Sequence, residues 1–133
     1  MLKTLSQSGG MLGFSLYPHH LNDNSNCKLD NFCEMVARTA EIMDVKNLGI
    51  GSDLCLNQPD EIVEWMRNGT WAKKKVYGEG SVTKEGFPDQ PIWFKDARGF
   101  KNIEDGLKKI GFNSDEINGI LGNNWYNFYK GIN

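Results

Sequence analysis

An aspartate just past a short apolar segment is the residue in this sequence best placed for chemistry. In Asn47-Leu48-Gly49-Ile50-Gly51-Ser52-Asp53, Leu48 and Ile50 alternate with glycines and the run closes on a carboxylate. The pattern predicts a short buried strand ending at Asp53, with small residues that admit a neighbouring backbone or a ligand. In α/β units the residue at the carboxyl end of a strand faces the region where ligands bind. Asp53 is therefore the first candidate for chemistry. Its competing role is to cap the turn that follows.

Four further residues are candidates for contact with a ligand. His19 and His20 follow an apolar run and could line a cleft or hold a metal. Two adjacent histidines do not readily point at one ion, which favours a place on the rim. Tyr17 at the end of the same run could donate to a substrate oxygen, or pack with its hydroxyl in water. Arg98, in Asp96-Ala97-Arg98, could meet a carboxylate, or form a surface ion pair. A metal site from His19, His20, Cys27 and Cys33 is conceivable on residue types alone. Cys33, however, falls on the apolar side of a predicted helix and reads as a small core residue.

The elements that position these residues follow from periodicity. Residues 1–8 read as the tail of a helix stopped at Gly9-Gly10. Met11 to Tyr17 reads as a mainly apolar strand ended by Pro18, of the kind covered on both faces in parallel sheets. After a polar loop, Leu29 to Met43 carries the clearest helical stripe: Leu29, Phe32, Cys33, Val36, Ala37, Ala40, Ile42 and Met43. Residues 11–53 thus make one strand–helix–strand unit. Pro59 to Arg67 predicts a short amphipathic helix. The stretch 54–93 as a whole is an excursion with Trp71, Tyr77, Phe87 and Trp93 spaced along it, either a lid over the site or a packing surface. Over 94–133, helices are predicted at 102–110 and at 114–121, the second opened by an Asn113/Glu116 capping box. Gly122-Asn123-Asn124 breaks that helix before an aromatic turn over Trp125–Tyr129.

Composition narrows the class. The 133 residues make one domain's worth of chain, with 15 Lys+Arg against 17 Asp+Glu. That balance offers no footprint for a nucleic-acid backbone, so no nucleic acid is expected as a partner. No apolar run is long enough to span a membrane, and the N-terminus shows no signal pattern. Three cysteines (Cys27, Cys33, Cys55) without such a signal read as reduced thiols in a cytoplasmic protein.

Two stretches carry a family likeness. Gly49-Ile50-Gly51-Ser52-Asp53 after the strand–helix unit, together with Gly111-Phe112-Asn113-Ser114-Asp115-Glu116-Ile117-Asn118-Gly119-Ile120-Leu121-Gly122-Asn123-Asn124-Trp125, resembles the membrane (renal) dipeptidase family of metal-dependent amidohydrolases. The excursion from Asn57 to Trp93 is similar to a bacterial branch. The resemblance implies an α/β fold that is part of a (β/α)₈ TIM barrel: the last two strand–helix units plus C-terminal helices, residues 1–133 forming a single domain. Phe14-Ser15-Leu16-Tyr17 would end the seventh strand and Asp53 the eighth.

In that family two zinc ions share a hydroxide that attacks the peptide carbonyl of a dipeptide, and an aspartate moves a proton to the leaving amine. Asp53 matches that aspartate. The resemblance implies that the metal ligands lie upstream of Met1, so no metal ligand is assigned in this chain. It also implies zinc in the full-length family and none bound by this chain alone. Leu54-Cys55-Leu56 follows Asp53 in place of the family's Asp-x-Asp-Gly context, so a second carboxylate is missing. A full barrel takes roughly 250 residues. The expectation is therefore a C-terminal piece of a dipeptidase-like hydrolase, inactive alone, acting on a dipeptide-like small substrate in full-length context. Its exposed strand edges would be closed by homo-oligomerisation. The alternatives are a non-catalytic binding or oligomerisation module, and one half of a split enzyme.

Overall fold

A computed structural model describes residues 1–54, 56–57, 59, 61–62, 65 and 88–132. Most of the predicted helix at 59–67 and of the 54–93 excursion, with Cys55, Trp71, Tyr77 and Phe87, lies outside the described residues. The central unit is β1 (Leu12–Ser15), α2 (Leu29–Ala40) and β2 (Leu48–Gly51), preceded by α1 (Leu2–Gln7). The two strands pair in parallel, with Leu12 opposite Leu48, Gly13 opposite Gly49, Phe14 opposite Ile50 and Ser15 opposite Gly51. A parallel pair requires a crossover, and α2 supplies it.

Each strand is shorter than its apolar run. β1 stops at Ser15 because Pro18 starts a 3-10 turn over Pro18–His20, so Tyr17 lies beyond the sheet. β2 stops at Gly51, and Asp53 stands two residues past it. α2 ends at Ala40, three residues before the end of the apolar stripe: Ile42 is exposed, whereas Met43 turns back into the core.

Alternation along the strands sorts the side chains onto two faces. Leu12, Phe14, Leu48 and Ile50 share one, and Phe14 meets Phe32 of α2 edge-on at 6.2 Å. Phe32, Cys33 and Val36 are the buried stripe of α2. Gly13 and Gly49 share the other face with Ser15 and Gly51.

The C-terminal region closes the structure. Helix α3 (Phe100–Lys109) begins two residues earlier than its apolar stripe indicates, after a turn over Ala97–Gly99. It buries Ile103 and Leu107 and approaches α2 closely at Gly106, where a Cβ would meet Cys33 Sγ at 2.6 Å. Helix α4 (Ser114–Asn118) carries the predicted capping box: Asn113 Oδ1 accepts from the Asp115 and Glu116 amides, and Glu116 accepts from the Asn113 amide. The predicted helix over 114–121 gives way at Gly119 to a π-type turn, and the backbone leaves helical geometry at Gly122. Helix α5 (Asn124–Lys130) follows.

Candidate functional site at the strand ends

Because β1 and β2 run parallel, their carboxyl ends open on the same side, and the paired residues Ser15 and Gly51 mark that boundary. Beyond Ser15 come Tyr17, His19 and His20; beyond Gly51 comes Asp53. The topology therefore gathers four of the five candidate residues past adjacent strand ends. Asp53 is exposed and adopts a left-handed backbone at φ 51°, a conformation aspartate tolerates better than most residues.

The β1 end is the more elaborated. His20 Nδ1 lies 2.9 Å from Ser15 Oγ, and the Tyr17 amide donates to the same oxygen at 3.2 Å. The Tyr17 ring stands edge-on to both imidazoles, with centroids 5.4 Å from His19 and 5.3 Å from His20. His19 Nδ1 lies 3.3 Å from Asn24 Oδ1. The two histidines therefore flank one tyrosine, each engaged with a different hydrogen-bond partner.

Arg98 belongs to a different setting. Its Nε meets Asp96 Oδ1 at 3.0 Å and Oδ2 at 3.1 Å, its Nη2 meets Oδ2 at 2.5 Å, and its backbone N–H donates to Oδ1. Arg98 holds the Asp96 carboxyl at about 2, below the usual carboxylate range, first through the guanidinium's hydrogen bonds and then through that of its backbone N–H. This is a local clamp on the turn before α3. No hydrogen bond joins Arg98 to Tyr17, His20 or Asp53 among the described residues.

The donors among the described residues do not fit a zinc centre. Among the described residues no three His, Cys, Asp or Glu side chains converge on one point. Cys27 and Cys33 are free and buried. Burial raises both thiols, Cys33 to about 11, which disfavours the thiolate a metal needs. Aspartates add to this, Asp23 at Cys27 and Asp30 at Cys33.

Three contributors escape a reading of the sequence. Ser15 becomes significant only once the 3-10 turn folds His20 back onto it. Asn124 donates to the carbonyls of Val45 and Leu48 at 2.9 and 2.8 Å, and Trp125 Nε1 donates to that of Ile50 at 3.1 Å. The strand glycines thus admit neither a ligand nor a third backbone at Gly49. They admit the indole of the chain's own last helix.

No family model matches this sequence, and no curated protein matches it. Among solved structures the chain is similar to an amidohydrolase from Pseudomonas aeruginosa, with a TM-score of 0.79 at 20% sequence identity. The match covers 96% of this chain and 37% of that one, so the chain spans little more than a third of that protein's length. The fold accordingly resembles part of that protein's fold. No described helix is long and apolar enough to cross a membrane.

Proposed function

We propose that this chain corresponds to the C-terminal part of a zinc-dependent, dipeptidase-like hydrolase built as a (β/α)₈ barrel, and that it is inactive alone. The observation that carries this reading is the parallel β1–α2–β2 unit with Asp53 just past its second strand, within a fold similar to part of an amidohydrolase. Asp53 is the proton carrier of this reading, and Tyr17, His19 and His20 border the substrate. Arg98 is better read as a clamp on its own turn. Zinc would be held by residues outside this chain, as the family resemblance implies.

Among the described residues the sheet has two strands of four residues each, and open strand edges recruit partners. The chain would therefore self-associate or dock against the rest of a barrel. A sharp monomer boundary in sedimentation across the micromolar range would remove that part of the proposal.

Mapping the transcript in the 5′ direction tests the assignment. A reading frame that continues into a His-x-Asp after a first strand, with later strand-end histidines, is the expected result. A frame beginning at Met1, with no separate chain supplying those residues, would favour a non-catalytic binding module instead.

A further inference from the structure

Helix α1 is finished at one end and unstarted at the other. At its carboxyl end Gly9 takes a left-handed backbone at φ 76°, and the Gly10 amide donates to the Leu5 carbonyl at 2.9 Å. At its amino end Met1 makes no capping side-chain bond, and the first turn carries no acidic residue. Six residues are too few to hold a helix by themselves. The last turn is anchored beside the segment that follows α2. The Ser6 hydroxyl donates to Asn47 Oδ1 and accepts from the Asp44 amide, each at 3.3 Å. Since β1 and β2 are parallel, α1 and α2 both end at the amino end of the sheet.

One flank of α2 is covered. There α3 brings Gly106 against Cys33 and Leu29, and Lys109 Nζ lies 3.0 Å from Asp30. The opposite flank carries Met35 and Ile42, 38% and 45% exposed, on one stripe with Thr39 between them. With Leu21, Cys27 and Phe32 they line a groove of about 450 Å³. Apolar residues at that spacing are what a packed helix covers. Right-handed crossovers carry successive helices round a parallel sheet in one direction. With α3 later in the chain on one flank, the open flank falls to the helix that enters β1, which is α1.

We propose that α1 is the last part of a longer helix whose preceding residues pack in the α2 groove from Ile42 to Met35. The occupant is thus the segment of polypeptide immediately before Met1. At 1.5 Å per residue, about seven further residues, or two turns, cover the distance between those side chains. A second copy of this chain fits less well. Pairing α2 with itself so that Met35 meets the copy's Ile42 places both Arg38 side chains beside the symmetry axis. That a segment precedes Met1 rests on the reading under Proposed function; the open groove does not.

The test is peroxide oxidation of the native protein, read on tryptic peptides, in which Met35 is the one methionine between Lys28 and Arg38. The 133-residue chain is compared with the longer polypeptide that its gene encodes. Met35 should oxidise readily in the shorter chain and as slowly as the buried Met43 in the longer one. In the longer polypeptide Ile42→Arg should return Met35 to ready oxidation while Met43 stays protected. If the shorter chain does not fold, Met43 reacts there too, and the two rates within the longer polypeptide decide. Ready oxidation of Met35 in the folded longer polypeptide would overturn the proposal and leave the hydrolase reading standing. Protection in the shorter chain that grows with its concentration would overturn it in favour of a second copy. A reading frame beginning at Met1 would overturn both.

Discussion

The indole of Trp125 occupies the space that a side chain on Gly49 would need, while its Nε1 donates 3.1 Å to the carbonyl of the next residue, Ile50. The last helix is thereby fastened to the strand that leads to Asp53. Gly13, paired with Gly49, lies under the same ring: a Cβ there would come 3.0 Å from the indole. Gly49→Ala should therefore destabilise the chain by about 1–3 kcal/mol, the usual cost of overpacking. Chemical denaturation measures it. Combining Gly49→Ala with Trp125→Phe should recover part of the loss, because the smaller ring leaves room for the methyl group.

Asn124 serves two carbonyls at once, those of Val45 and Leu48, across the start of β2. Asn124→Ala leaves both without that partner and should cost about 1–3 kcal/mol. Asn124→Asp should be no better, since a carboxylate cannot donate to a carbonyl. Thermal unfolding of the two variants checks this.

The capping box of α4 is a more local feature. Asn113→Ala removes the acceptor for two amides and should cost about 1 kcal/mol, whereas Asn113→Ser or Asn113→Asp should cost much less. The test is the same denaturation series.

Ionisation of Cys33 gives a signed pH dependence. Burial raises its thiol to about 11 from an ordinary value of 9.0, so the folded chain holds that proton after the unfolded chain has lost it. The contribution to stability is complete below pH 9 and is lost as pH rises toward 11. Cys33→Ala should flatten the fall in stability over that window. At pH 8 the Cys33 thiol should also resist alkylation in the folded chain and react once the chain is denatured.

How much of this was legible in the sequence depends on the range of the interaction. The α2 stripe, the capping box and the strand–helix–strand order are set by neighbours within four residues, and the structure keeps all three. The apolar run outlasts the strand, because hydrophobicity continues through Leu16 and Tyr17 whereas Pro18 ends the pairing earlier. The glycines of β2 announced a close approach, but nothing local could identify the approaching group as Trp125, 76 residues from Gly49. Ser15 escaped notice for a similar reason: only a folded turn joins it to His20. Arg98 was legible as one of two alternatives, and the carboxylate that takes it is two residues away.

The measurement that most directly tests this account is zinc content per chain, by elemental analysis after zinc loading and desalting. Asp53 and His20 stand at the strand ends, and no metal site is built from the described residues, so far less than one zinc per chain is expected. About two zinc ions per chain, the complement of a binuclear amidohydrolase centre, retained through desalting and lost in Asp53→Asn or His20→Phe, would contradict it.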